Sequence, residues 1–160
     1  MPERKDWAYT LCLLGALAWW LLPAAPALLT QAGYAGLGAE LRRFWSPVCH
    51  QIPERCFHLG PAPLAVCSRC WGLYAGVVFG LVLVALSPGL AKPVLARPRF
   101  LILFALPSAI DWALPWNTLW SRFITGAVAT LPLGLFLWIG LRELPAALNR
   151  FLQRPKDDRQ

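Results

Sequence analysis

Residues 71–86 read WGLYAGVVFGLVLVAL: no charge, no proline, and glycine at 72, 76 and 80. An uncharged apolar run of this kind is a helix built for lipid, although a span needs about 20 residues. Extending the run upstream gives a helix over 64–86, with Pro61 and Pro63 tolerated at its start because the first N–H groups of a helix lack intrahelical partners anyway. Glycines four residues apart share one helix face and let a second helix approach closely. Three further apolar runs predict helices over about 7–29, 100–116 and 122–141. The second and third spans are short unless their flanks or the bilayer adapt.

The whole chain agrees with that reading. Its 160 residues are 58% hydrophobic and 14% charged, whereas soluble domains carry about 25% charged residues. The expected fold class is all-α: a polytopic membrane protein, one domain over 1–160, built as a four-transmembrane-helix bundle with a long structured first connection. The net charge of +7 would point to nucleic acid only if the basic residues formed one patch. They lie between and beyond the apolar runs, so no nucleic-acid partner is expected; the partner is the bilayer. Nine tryptophans suit the headgroup level.

The start imitates a secretory signal, with Arg4 and Lys5 before an apolar stretch and Ala25-Pro26-Ala27 resembling a cleavage site. The stretch is longer than a signal core and Pro26 sits inside the site, so retention as the first helix is expected. With the N-terminus inside, ten of the fifteen Lys and Arg residues fall on the inner side: Arg4, Lys5, Lys92, Arg97, Arg99, Arg142, Arg150, Arg154, Lys156 and Arg159. This places both termini in the cytoplasm and the first connection outside. Residues 142–160 form a basic tail; Leu144, Leu148, Phe151 and Leu152 share a stripe that suits an interfacial helix as well as a fraying end.

Four of the five cysteines and both histidines fall within the 22 residues from Cys49 to Cys70. Cys12 stands alone in the first helix, as a small hydrophobe would. The Cys67-Ser68-Arg69-Cys70 step places two thiols at a helix start, where the dipole and Arg69 favour thiolates able to hold a tetrahedral ion. Cys49 and His50 complete a Cys3His set, with Cys56 or His58 as alternative ligands. Disulfides or a redox couple exchanging with a membrane quinone fit the same residues, as do reduced structural thiols.

A second constellation is Asp111, Asn117 and Arg122. Asp111 is the acidic residue inside an apolar run, and an intramembrane carboxylate is expensive enough to mark a functional site. The bland alternative is an Asp111–Arg122 ion pair clamping the third-to-fourth hairpin. Both constellations lie on the outer face under the expected orientation. Walker, nucleophile-elbow and zincin motifs are absent from the sequence.

Cys49-His50-Gln51-x-Pro53-Glu54-Arg55 followed by Val66-Cys67-x-Arg69-Cys70-x-Gly72-x-Tyr74-x-Gly76 resembles a family of small prokaryotic membrane proteins, domain of unknown function 2085. Asp111, Asn117, Arg122, Thr125 and Gly126 look like its second motif, and the resemblance runs from the mid-forties to the mid-130s. It implies that Cys49, His50, Gln51, Cys67, Arg69, Cys70, Asp111, Asn117 and Arg122 belong to one site, in a prokaryotic inner membrane. That family usually has a hydroxyl residue in place of Cys56 and no histidine at 58. Three motif thiols remain, which favours zinc on Cys49, His50, Cys67 and Cys70. Arg69, Arg122 and Asn117 would then offer a surface to an anionic lipid or small anion beside Asp111, and Asp111, Arg122 and Asn117 are the candidate catalytic groups. The rivals are a thiol–disulfide oxidoreductase coupled to quinone and an anionic-lipid carrier or scramblase using Asp111 and Arg122 as a switchable pair.

Overall fold

The structure, a computed structural model, describes residues 5–87, 89, 99–115 and 117–152. It is mostly helical. Helix α1 (Lys5–Leu21) passes through a 3-10 turn at Leu22–Ala24 into α2 (Ala25–Gln31), so that Pro23 and Pro26 fall near helix starts. Then come α3 (Ala35–Phe44), a short antiparallel hairpin of β1 (His58–Leu59) and β2 (Ala62–Pro63), α4 (Ser68–Leu86), α5 (Arg99–Ala113) and α6 (Leu119–Leu152).

Among the described residues three helical stretches are long and apolar enough to cross a membrane: Trp7–Gln31, Ser68–Leu86 and Leu119–Glu143. Helix α5 has 15 residues, about 22 Å of rise against a hydrocarbon core of about 30 Å. By length alone it falls short of the expected fourth span.

The glycine face of α4 meets α6. A Cβ at Gly72, Gly76 or Gly80 would run into the backbone carbonyls of Phe123, Ala127 and Leu131 respectively. Both series advance by four residues in the same direction, so α4 and α6 run parallel with their backbones in contact. Gly134 answers from α6 against the Val77 carbonyl. Helix α1 runs the other way: the Tyr9 hydroxyl donates to the Leu81 carbonyl at 2.9 Å, and the Trp71 indole N–H donates to the Trp20 carbonyl at 2.8 Å. Helix α5 is also antiparallel to α4, because Asp111 near its end meets Arg69 in the first turn of α4.

Three expected boundaries change. The second membrane helix starts at Ser68, not at 64, because Gly60 takes a positive φ of 56° and turns the chain into the hairpin. Pro63 is therefore a strand residue, and Cys67 is the extended N-cap of α4. The last helix starts earlier than 122, at a reciprocal cap in which the Thr118 N–H donates to the Ser121 hydroxyl oxygen and the Ser121 N–H to the Thr118 hydroxyl oxygen. It then continues past 141 to Leu152 with no break before the basic segment. Lys92, Arg97, Trp116, residues 153–160 and the side chains of the 144–152 stripe lie outside the described residues.

Candidate metal centre

The first connection is held by a clamp of two polar side chains. Arg42, in the last turn of α3, donates to the carbonyls of Pro63, Leu64 and Gln51 at 3.1, 3.2 and 3.0 Å. Gln51 donates in return to the carbonyls of Arg42 and Ala65 at 2.6 and 2.7 Å. Gln51 is held at a φ of 53°, a left-handed conformation that costs a side-chain-bearing residue of order 1 kcal/mol or more and persists where its surroundings over-determine it. That conformation turns the Gln51 N–H toward the Cys49 Sγ at 3.5 Å. The Ala65 N–H donates to the Pro23 carbonyl at 2.9 Å, tying the loop to the top of the first helix. Beneath it Trp45, fully buried, packs with Cys49, Ala65 and Val66 and meets Trp19 edge-on at 4.6 Å.

The clamp delivers Cys49 to the start of α4. The sulfurs of Cys49, Cys67 and Cys70 all lie within 4.8 Å of one another, and all five cysteines are free thiols. Sulfurs around a tetrahedral zinc at about 2.3 Å stand about 3.8 Å apart, so the trio fits one ion with small adjustment. The Cys67 and Cys70 thiols, aided by the Cys67 N–H at 3.2 Å and the Gln51 N–H, pull the Cys49 thiol far below its ordinary range against the cost of burial. A metal-binding sulfur must be a thiolate, and the donors around Cys49 favour that form.

The other expected ligands are His50, Cys56 and His58. His50 is exposed but lines the same cavity as the three sulfurs. Cys56 is fully buried, its thiol donates to the Ile52 carbonyl at 3.2 Å, and burial pushes it up to about 11. His58 is exposed in β1. Neither Cys56 nor His58 joins the sulfur group: the Cys56 thiol is turned to the Ile52 carbonyl, and His58 lies in the hairpin.

The second constellation also gathers here, with different partners from those expected. Asp111, buried, accepts from Arg69 Nη2 at 2.5 Å. Arg122 instead donates through Nε to the Asn117 Oδ1 at 2.8 Å, with Nη2 on the same oxygen. Asn117 closes α5 by donating to the carbonyls of Asp111 and Leu114 at 2.7 and 3.1 Å. The expected Asp111–Arg122 pair, and with it a switch made of those two residues, is thus replaced by an Arg69–Asp111 pair. Gly126 lies beside this pair: a Cβ there would stand 2.7 Å from the Arg69 carbonyl, so its absence lets α6 press against α4 at Arg69.

Residues 49–136, from the first of the three thiols into α6, match the family described as "Predicted membrane protein (DUF2085)". The chain belongs to that family. A relative in Methanocaldococcus jannaschii, itself an uncharacterized protein, is 34% identical over 92 residues, covering 53% of this chain. The chain spans 58% of that relative's length. No solved structure matches this DUF2085 chain.

Every sulfur of the trio and every member of the Arg69, Asp111, Asn117, Arg122 group lies inside the matched stretch, whereas Arg42 lies outside it. Arg42 was legible only as a positive charge in the first connection, and Gln51 only as a motif position. Their joint role needs α3, a helix that no apolar run announces.

Proposed function

We propose that this DUF2085 protein is a four-span protein of a prokaryotic cytoplasmic membrane that carries one zinc ion at its outer face. Cys49, Cys67 and Cys70 supply three ligands. His50 supplies the fourth, as the histidine that shares their cavity. The observation that carries the reading is the mutual 4.8 Å approach of three free sulfurs drawn from two distant segments. A closed four-ligand zinc is a structural fastener, here joining the first connection to α4. Arg69, Arg122 and Asn117 form the anion site next to it, for a lipid headgroup or a small anion.

The fourth crossing is supported by topology. If α4 and α6 both span in the same direction, the chain must return between them, and α5 is the apolar helix available. The basic residues flanking the spans favour cytoplasmic termini. Elemental analysis of purified protein should find about one zinc per chain, the stoichiometry of one four-ligand site. Cys67→Ser should lose it; full zinc retained in Cys67→Ser excludes the site.

A thiol–disulfide couple is the second reading, favoured by the same proximity, since side-chain rotation in so close a group is enough to bring two thiols to the bond length of about 2.05 Å. Thiol trapping in intact cells separates the two. A redox couple changes its labelling with oxidant, whereas metal-held thiols resist label until a chelator is added.

A further inference from the structure

The three sulfurs form one wall of a cavity of about 640 Å³, and its remaining walls are of two opposite kinds. One is cationic: Arg55, Arg69 and Arg122 all line it, and among the described residues no carboxylate does. Asp111 neutralises Arg69 from outside the lining. Arg122 bonds to the neutral Asn117 oxygen, and among the described residues neither it nor Arg55 has a carboxylate within ion-pair distance. Arg69 also keeps a buried Nε–H with no hydrogen-bond partner. The other wall is apolar and open, made by Val48, Ile52, Trp112 and Leu114, with Val48 52% and Trp112 77% exposed. A cavity with two guanidinium groups outside any contact ion pair on one side and an exposed apolar lip on the other is complementary to an amphiphile.

We propose that this cavity binds a lipid bearing a terminal phosphate monoester, a deeper statement that rests on the anion-site reading given above. The phosphate sits among Arg55, Arg69 and Arg122, and the chain leaves over Ile52, Val48 and Trp112 toward the bilayer. Guanidinium groups match phosphate oxygens in pairs of parallel hydrogen bonds. A phosphate monoester carries between about −1.5 and −2 at pH 7 and offers three acceptor oxygens to the arginines; a phosphodiester carries about −1 and offers two free oxygens. The volume suits a ligand well above the size of a bare ion, because pockets for drug-sized molecules run to about 300–1,000 Å³.

The test is lipid retention by the full chain, purified in detergent, offered phosphatidic acid, phosphatidylglycerol or phosphatidylcholine at equal concentration and read by native mass spectrometry. Phosphatidic acid should be retained about tenfold over phosphatidylcholine, with phosphatidylglycerol between, as expected for charge-assisted hydrogen bonds to the headgroup. Arg122→Ala should remove the preference. Arg55→Ala should weaken it severalfold, and because Arg55 is exposed and unpaired this variant bypasses any folding defect of the first. Equal retention of phosphatidic acid and phosphatidylglycerol, or an unchanged preference in Arg55→Ala and Arg122→Ala, overturns the proposal. Displacement of phosphatidic acid by an equal concentration of inorganic phosphate also overturns it, in favour of a free-phosphate site. Zinc is measured in the same samples: lipid preference without zinc removes only the metal reading, and zinc without lipid preference removes only this one.

Discussion

Two regions of the molecule are held together in opposite ways. Along the α4–α6 seam, glycine faces bring two backbones into contact, and a step of four residues repeats on both sides from Gly72–Phe123 to Gly80–Leu131. At its upper end, around the thiols, order comes from single polar side chains, each reaching several backbone groups: Arg42 binds three carbonyls, Gln51 two and Asn117 two. The seam is periodic and tolerates no added volume. The site is aperiodic and rests on individual hydrogen bonds. Lipid explains the division. Helix association there is driven by close packing, because lipid tails are as apolar as the side chains they would displace. The connection above has irregular backbone, and every buried carbonyl in it needs a donor.

The sharpest way to break the comparison is to add volume to the seam. In Gly76→Leu even the first carbon collides with the Ala127 carbonyl and the Thr130 hydroxyl. Overpacking costs about 1–3 kcal/mol where side chains can give way, and more where backbone blocks them. The expected result is loss of monodisperse protein on size-exclusion chromatography. Gly15→Leu, at a position in α1 with nothing within 4 Å of the added carbon, should leave the elution profile and melting temperature unchanged. If both variants behave alike, the seam is not what holds α4 to α6.

A smaller effect is expected where the two regions join. Asp111→Asn removes the partner of Arg69, whose side chain is 20% exposed against 7% for Asp111. Breaking a buried pair costs about 3–5 kcal/mol; the partial exposure of Arg69 reduces this to about 2–3 kcal/mol. Thermal unfolding in detergent checks it. Arg122→Gln should cost less than Asp111→Asn, because Arg122 is bonded to a neutral oxygen; the reverse order would restore the Asp111–Arg122 pair that the sequence favours.

These outcomes bear on what was readable in the residues. Membrane helices were legible from uncharged runs, and the seam from the spacing of Gly72, Gly76 and Gly80, because both properties are local and periodic. The three-thiol group was legible as a cluster, since a lipid-facing chain has no packing reason to collect sulfur in one connection. The partner of Asp111 was not: Arg122 is eleven residues away in sequence and Arg69 forty-two, and only the packing of separate helices brings Arg69 close. The start of α4 was misplaced because two prolines that suit a helix start also suit a hairpin, and Gly60-Pro61 was the turn signal that separates those cases.

The finest test separates strain from hydrogen bonding at Gln51, the residue that most clearly marks the site as unlike the seam. Gln51→Ala keeps a Cβ in the left-handed conformation and loses both side-chain hydrogen bonds. Leaving buried carbonyls without donors costs about 1–3 kcal/mol. Gln51→Gly loses the same bonds but relieves the conformational cost, so it should be the more stable variant by about 1 kcal/mol. Both should expose Cys49 to maleimide faster than in the parent protein, since the clamp that delivers its sulfur to the α4 start is gone. Equal stability of the two variants would mean that the left-handed backbone costs nothing here. Unchanged Cys49 labelling would mean that the thiols hold the loop in place, rather than the clamp holding the thiols.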